Sequence, residues 1–145
     1  MALSADTPRK YDPAFEPMFA DVPVEASDTC YEGAAVTDSG GGGLCDGALV
    51  ASEAFLGFVE RYAADTSGVS GTIRVKIRQK GVIKDLAVTG LDNVTDLGVA
   101  VYASDNGTFT LTSTTAHVQI GKVQSYNGVS GYGDVYFEAA AVRSI

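Results

Sequence analysis

The 145-residue sequence has few of the residues that most often build catalytic or metal sites. It contains one histidine, two cysteines and no tryptophan. His117 lies in a polar segment without the serine-and-acid pattern that nucleophilic catalysis would need, so we interpret it as an ordinary surface or edge residue. Nothing in the sequence supports a catalytic pair of His117 with Cys30 or Cys45. Asp92, Asp96 and Asp105 are scattered over turn-like segments, where aspartate is favoured for backbone reasons. The sequence therefore predicts no enzyme, no cofactor and no metal site.

The two cysteines, Cys30 and Cys45, have neither the spacing of a metal site nor the number that a disulfide framework requires. Four consecutive glycines at 40–43 lie between them and predict a flexible loop. Two interpretations of the cysteines remain open, a bridge across this loop or two small buried thiols. Nothing indicates export to an oxidising compartment, which favours buried thiols.

Long hydrophobic runs and an excess of positive charge are also missing. The most apolar run, 47–59, is interrupted by Glu53 and is too short to span a membrane. Residues 1–22 lack the apolar core of a signal peptide. Acidic side chains outnumber basic ones by 18 to 10, and the net charge of −8 repels a phosphate backbone. We expect neither a nucleic acid nor a membrane as partner.

What the chain does contain is typical of a single all-β domain. It has 17 glycines, frequent valine and threonine, and no long helical stripe. The clearest strand is 72–78, where isoleucine and valine alternate with arginine and lysine, so that apolar side chains face inward and cationic ones outward. Lys80-Gly81 predicts a turn, and 82–88 predicts the second strand of a hairpin.

A second hairpin is predicted around Asn106-Gly107. This dipeptide readily adopts the positive φ angles of a tight primed turn. The preceding strand contains Val99 and Val101, and the return strand, 108–112, alternates apolar residues with threonine.

The sequence also contains an internal similarity. Segment 55–62 resembles 119–126, with Gly57 and Gly121 in matching places, where they indicate a bulge or a close backbone approach. Segment 33–36 similarly resembles 98–101. We therefore expect two related β units, about 24–80 and 90–140, packed into one small sandwich or barrel.

Residues 1–22 differ from the rest of the chain, which forms the β domain 23–145. They hold three of the four prolines, and they favour an extended arm that is not part of the sheet. A solvated tail would seldom carry Tyr11, Phe15, Met18 and Phe19. The arm therefore either packs on its own domain or docks on another subunit or protein.

Several of these segments together resemble the capsid cement, or head decoration, proteins of tailed bacteriophages. The resemblance rests on glycine and apolar patterns and covers roughly 24–140. The segments that carry it are 55–59, 96–102, the hairpin 105–112, 120–123 and 133–137.

The resemblance implies a small structural virion protein that binds the outer surface of the expanded head and stabilises it. Its partner would be the major capsid protein, its oligomer a homotrimer, and its site of synthesis the host cytoplasm. In this interpretation, aromatic and apolar arm residues anchor the protein and two basic ones pair with acidic capsid groups. The expected capsid contacts are Arg9, Lys10, Tyr11, Phe15, Met18 and Phe19.

A carbohydrate- or receptor-binding β module of a virion or cell surface is the alternative function. Tyrosines at strand positions would then supply a binding face. The candidates are Tyr62, Tyr102, Tyr126, Tyr132 and Tyr136.

Overall fold

A computed structural model describes residues 2–39 and 43–142, so most of the predicted glycine loop 40–43 lies outside the described residues. The described chain is nearly all β, as the sequence predicts, and across these two ranges no helix has the length and apolar character to cross a bilayer. Short 3₁₀ turns form at Val94–Asp96 and Ala140–Val142. The strands are β1 Lys10–Tyr11, β2 Met18–Pro23, β3 Thr29–Cys30, β4 Ala35–Ser39, β5 Leu44–Asp46, β6 Phe55–Val59, β7 Ala63–Ala64, β8 Arg74–Ala87, β9 Ala100–Asp105, β10 Thr108–Thr110, β11 Val118–Tyr126 and β12 Tyr132–Glu138.

One long antiparallel sheet organises the molecule. Its strand order is β10-β9-β11-β12-β8-β6-β4-β5, while β1 and β2 also pair with β8, and β3 and β7 form a separate small sheet. The strand order has an internal symmetry. Counted from one end of the sheet the first four strands are β10-β9-β11-β12, and counted from the other end they are β5-β4-β6-β8, so that β9 and β4, β11 and β6, and β12 and β8 occupy matching positions. Two related units would produce this arrangement if their last strands paired with each other.

Strand β8 is the centre of the sheet, and it corrects one prediction. The expected hairpin at Lys80-Gly81 does not form, since the strand continues through Gly81 in a nearly extended conformation with φ 159°. Ile77 and Arg78 pair with both β2 and β6, and Ile83 pairs with both β1 and β12. Because partners occupy both edges, a continuous strand satisfies more backbone groups than a turn would.

The N-terminal segment is part of the sheet, so the prediction that residues 1–22 lie outside it was wrong. β1 pairs with β8 through Lys10–Lys84 and Tyr11–Ile83, and β2 pairs with β8 from Met18 to Pro23. The prolines obstruct neither strand, because Pro13 and Pro17 lie between them and Pro23 ends the second.

The main core is aromatic and joins both halves of the sheet. The ring of Phe58 in β6 lies 4.8 Å from that of Phe137 in β12 and 5.8 Å from that of Phe109 in β10, between ring centroids. All three side chains are buried. A second, smaller core contains aliphatic side chains and both cysteines: Val24, Cys30, Ala34, Val36, Cys45, Val59, Val75 and Ile77.

Asn106 closes the fold at the tip of the β9–β10 hairpin. The hairpin is present as predicted, but neither Asn106 nor Gly107 has a positive φ, so the predicted primed turn was wrong. The reason is tertiary: the buried Asn106 amide donates to the Gly47 carbonyl at 2.7 Å and accepts from the Leu3 backbone at 2.8 Å. Its own carbonyl accepts from the Ala35 backbone N–H at 2.9 Å, and these bonds bring the two ends of the sheet together.

Gly57 and Gly121 lie at matching close approaches of backbone, as predicted. A Cβ at Gly121 would lie 1.8 Å from the Tyr136 carbonyl oxygen, and one at Gly57 would lie 2.3 Å from the Arg78 carbonyl oxygen. Both glycines also adjoin a shift in strand register. They serve the packing of strands rather than a binding loop.

Candidate functional site

The residues expected to contact a partner fall into two groups in the structure. Arg9, Lys10 and Tyr11, which we call the inner segment, lie at and beside β1. Phe15, Met18 and Phe19, the outer segment, lie in the connection to β2 and in its first two positions. The inner segment is mostly engaged within the domain, and the outer segment is mostly at the surface.

Arg9 contributes to the interior of its own domain. Its Nε donates to the Gly33 carbonyl at 2.9 Å, and its guanidinium carbon lies 5.4 Å from the centroid of the Phe109 ring. Burial lowers the pKa of Arg9. Lys10 beside it points outward, with its Nζ 3.7 Å from Asp85 Oδ2. Of this pair, Lys10 alone is placed to meet a partner.

Tyr11 is packed over the aromatic core. Its ring centroid lies 6.1 Å from that of Phe137, and the Arg78 guanidinium carbon lies 3.9 Å from the Tyr11 ring. Burial raises the pKa of Tyr11. Within residues 2–39 and 43–142, its buried hydroxyl has no hydrogen-bond partner. Tyr11 is therefore a partly buried residue that packs against the main core, with its hydroxyl inside the domain.

Arg78 connects the N-terminal strands to the sheet, a role that its place in the alternating pattern of 72–78 does not predict. Its guanidinium lies between two rings, 3.9 Å from that of Tyr11 and 4.9 Å from that of Phe19. Arg78 Nε and Nη2 also donate to the two carboxylate oxygens of Glu60, at 3.1 and 3.3 Å. A planar, bidentate guanidinium suits this position, since it stacks on rings and pairs with a carboxylate at once.

A ridge of basic and apolar side chains runs along β8 and β2. Met18 and Phe19 are 44% and 37% exposed. Lys76 Nζ lies 4.2 Å from the centroid of the Phe19 ring, and Arg74 Nη2 donates to the Asp21 carbonyl at 2.9 Å. We call this the basic–aromatic surface, and it consists of Met18, Phe19, Arg74, Lys76 and Arg78.

Alternation along β8 produces this surface. Val75 and Ile77 are buried, whereas Arg74 and Lys76 on the opposite face are exposed. The predicted alternation was therefore confirmed from Arg74 to Ile77. It fails at the two ends of 72–78, since Ile73 is 37% exposed and the Arg78 side chain is only 14% exposed. What the sequence pattern missed is that β2 places two large apolar side chains beside the cationic ones.

A groove lies next to this surface on the outer face of β8, β11 and β12. It has a cavity volume of about 560 Å³. Phe15 covers one side, with its ring centroid 6.5 Å from that of Tyr136. Burial raises the pKa of Tyr136 to about 12, with a further contribution from the Glu138 carboxylate. The groove is lined by Phe15, Lys80, Lys122, Val123, Gln124, Tyr136 and Glu138.

The tyrosines do not share one face, contrary to what a tyrosine binding face would need. Tyr136 lines the groove, Tyr132 lines a separate depression beside β10, and Tyr62 lines a third near Arg61 and Arg74. Tyr126 packs against the main core, and Tyr102 is half-buried in β9.

Titratable groups elsewhere serve local structure. His117 Nδ1 lies 2.8 Å from the Thr112 carbonyl oxygen of its own loop. One triad of carboxylates, Glu25, Asp28 and Asp46, brings oxygen atoms within 4.8 Å of one another, which is the donor type that a hard cation prefers. These carboxylates already accept hydrogen bonds from Ser39, Thr29, Gly47 and Ala48.

Comparison with known proteins does not identify a family. The chain matches no protein-family model and no curated protein at a significant level.

Proposed function

We propose that this protein is a structural virion protein that binds the outer surface of a phage capsid as a homotrimer and stabilises the expanded head. The observation that carries the proposal is the basic–aromatic surface on an otherwise acidic protein of net charge −8. The resemblance of 55–59 and 96–137 to capsid cement proteins names the class of partner.

The basic–aromatic surface has the chemistry of a protein-binding site. Aromatic residues, methionine and arginine are enriched at interface cores, and clustered cations favour an acidic partner surface. The surface is also rigid, because β2 is paired with β8 and Arg78 is held by Glu60 and two rings. A pre-organised surface loses little entropy on binding.

The proposed contacts are therefore a revision of those expected from sequence. Met18, Phe19 and Lys10 are retained, and Phe15 is assigned to the neighbouring groove. Arg74 and Lys76 are added, and Arg9 and Tyr11 are removed because they pack inside the domain. Deleting residues 1–22 would take two strands from the sheet, so point variants test the interface better than a truncation does.

The test is co-sedimentation of purified protein with capsid shells that lack it. Phe19→Asp and Lys76→Glu should each weaken binding about tenfold or more, because they place negative charge where an acidic partner would sit. Val129→Asp is the matched control, since Val129 is 58% exposed and lies in the β11–β12 connection. It should bind as the unmodified protein does.

Two results would overturn parts of this proposal. If unmodified, folded protein binds no shell, the capsid function is wrong. If the protein binds and the Phe19 and Lys76 variants bind equally well, the function stands and the assigned surface is wrong.

A carbohydrate-binding module is the second candidate, and the groove is the observation that favours it. Two tilted aromatic rings beside an amide, a carboxylate and two ammonium groups offer both stacking and hydrogen bonds to a sugar. Screening the isolated protein against a glycan panel tests this function. Binding that Tyr136→Ala abolishes and Lys76→Glu leaves unchanged would support it, and the absence of any glycan binding would exclude it.

A further inference from the structure

The smaller core contains a pair of thiols in direct contact. Cys30 in β3 and Cys45 in β5 are both fully buried, and their Sγ atoms lie 3.4 Å apart. Both are free thiols in the structure. Aliphatic side chains surround them, including Val24, Val36 and Ile77. A disulfide requires its two sulfur atoms to approach to about 2.0 Å, and here they are already in contact.

The strands that carry the two sulfur atoms are short. β3 pairs with β7 over two residues, and β5, which has three residues, ends the long sheet. Moving the sulfur atoms from 3.4 Å to a bonded distance of about 2.0 Å asks for a small shift of two such strands. Neither cysteine belongs to the central strand β8 or to the main aromatic core.

We propose that Cys30 and Cys45 form an intradomain disulfide when the protein meets a small-molecule disulfide oxidant. The thiolate of one cysteine attacks the oxidant, forms a mixed disulfide and releases one thiol. The thiolate of the other cysteine displaces the second oxidant half. Two cysteine sulfur atoms are oxidised, the oxidant is reduced to two thiols, and those thiols take up the two cysteine protons.

The surroundings make this reaction slow in the folded protein. The hydrogen bond with Cys30, burial, and the charges of Asp28 and Asp46 all raise the pKa of Cys45. Both sulfur atoms are inaccessible, so the oxidant reaches them when β3 or β5 opens locally. The pair therefore stays reduced during brief exposure and oxidises on long exposure. This inference rests on the thiol geometry and is independent of the proposed capsid function.

The bond should stabilise the domain. It would close a loop between residues 15 positions apart, and a loop of that size restricts the unfolded chain enough to raise Tm by about 10 °C. It would also tie an end strand of the long sheet to the small sheet β3–β7.

The experiment holds the purified, folded protein in a buffer of reduced and oxidised glutathione until its intact mass stops changing. One sample starts fully reduced, and another starts after oxidation in urea and refolding. Both should converge on a species about 2 Da lighter than the dithiol, with 30 and 45 linked in its peptide map. Thermal unfolding should show the higher Tm, and a phosphine reductant should reverse it.

Cys45→Ala is the matched control and should show no loss of mass. The proposal is overturned if the unmodified, folded protein settles as the dithiol from both starting points, or keeps glutathione on either cysteine. It is also overturned if the linked protein melts below the reduced one. Every result that would overturn the proposal is measured on the unmodified protein, so a folding defect in the Cys45→Ala control does not affect it.

Discussion

The inner and outer segments are neighbours in sequence and similar in composition, yet their side chains have different environments. Both combine aromatic and large apolar groups in a proline-containing stretch. Tyr11 packs over Phe137 with its hydroxyl unpaired, whereas Phe19 lies 37% exposed under Lys76. The difference follows from register on β8, since Tyr11 pairs with Ile83 opposite the aromatic core and Phe19 pairs with Arg78 on the outer ridge. Similar residues thus serve stability in one segment and are available for binding in the other.

Removing the Tyr11 side chain should have the largest effect on stability. Tyr11→Ala should lower the free energy of unfolding by about 3 kcal/mol, because it empties the space over Phe137 and removes a ring from Arg78. Urea unfolding followed by fluorescence or circular dichroism measures this. Phe19→Ala is the matched variant in the outer segment and should cost about 1 kcal/mol or less. Equal losses in the two variants would contradict the division into two segments.

Arg78→Ala should be the next largest change. It removes the group that joins Tyr11, Phe19 and Glu60, and a loss of about 2 kcal/mol is expected. The double variant Tyr11→Ala with Arg78→Ala should lose less than the sum of the single variants, because both remove the same contact. Strict additivity in urea unfolding would show that the ring and the guanidinium do not cooperate.

Removing only the Tyr11 hydroxyl should have a smaller effect of opposite sign. Tyr11→Phe keeps the ring and deletes a buried oxygen without a hydrogen-bond partner among the described residues, so unfolding free energy should rise by up to about 1 kcal/mol. The urea midpoint should increase at unchanged slope. A loss of stability would mean that the hydroxyl has a partner in solution, such as an ordered water.

The smallest expected effect is a loss of stability at acid pH. Burial alone would raise the pKa of Asp134, but hydrogen bonds from the Asp85 amide, Ser125 and Lys84 outweigh it and hold that pKa below its usual range. The stabilisation is present above the unfolded pKa of about 4 and is lost as pH falls through the lower folded pKa.

Asp134→Asn tests this pH dependence. The substitution should cost about 1 kcal/mol at neutral pH, a value reduced by the 39% exposure of the Lys84 side chain, and less near pH 2. Urea unfolding at both pH values measures the difference. A cost that is the same at both would show that the carboxylate charge does not contribute.

Local pattern was sufficient for the strand content. The alternation at 72–78 and the threonine-rich return strand at 108–112 correspond to described strands, and matched glycines at 57 and 121 mark real close approaches. These features depend on side-chain period and on steric demands of the backbone, which are properties of a few neighbouring residues. The candidate site was harder to predict from the sequence. Four of the six expected contact residues reach the surface. The basic residues beside them were predicted only as the outward face of a strand and not as part of a binding site.

The sequence by itself determined an all-β domain with cationic side chains on one face of a strand, because alternation and glycine placement act over short distances. Tertiary structure decided that β8 passes straight through Gly81, that Asn106 closes the sheet, and that residues 10–11 and 18–23 join it as strands. It also placed Cys30 against Cys45. The physical reason is the same in each case: the backbone partners or contacting side chains lie far away in sequence, and no local pattern specifies which distant strand will supply them.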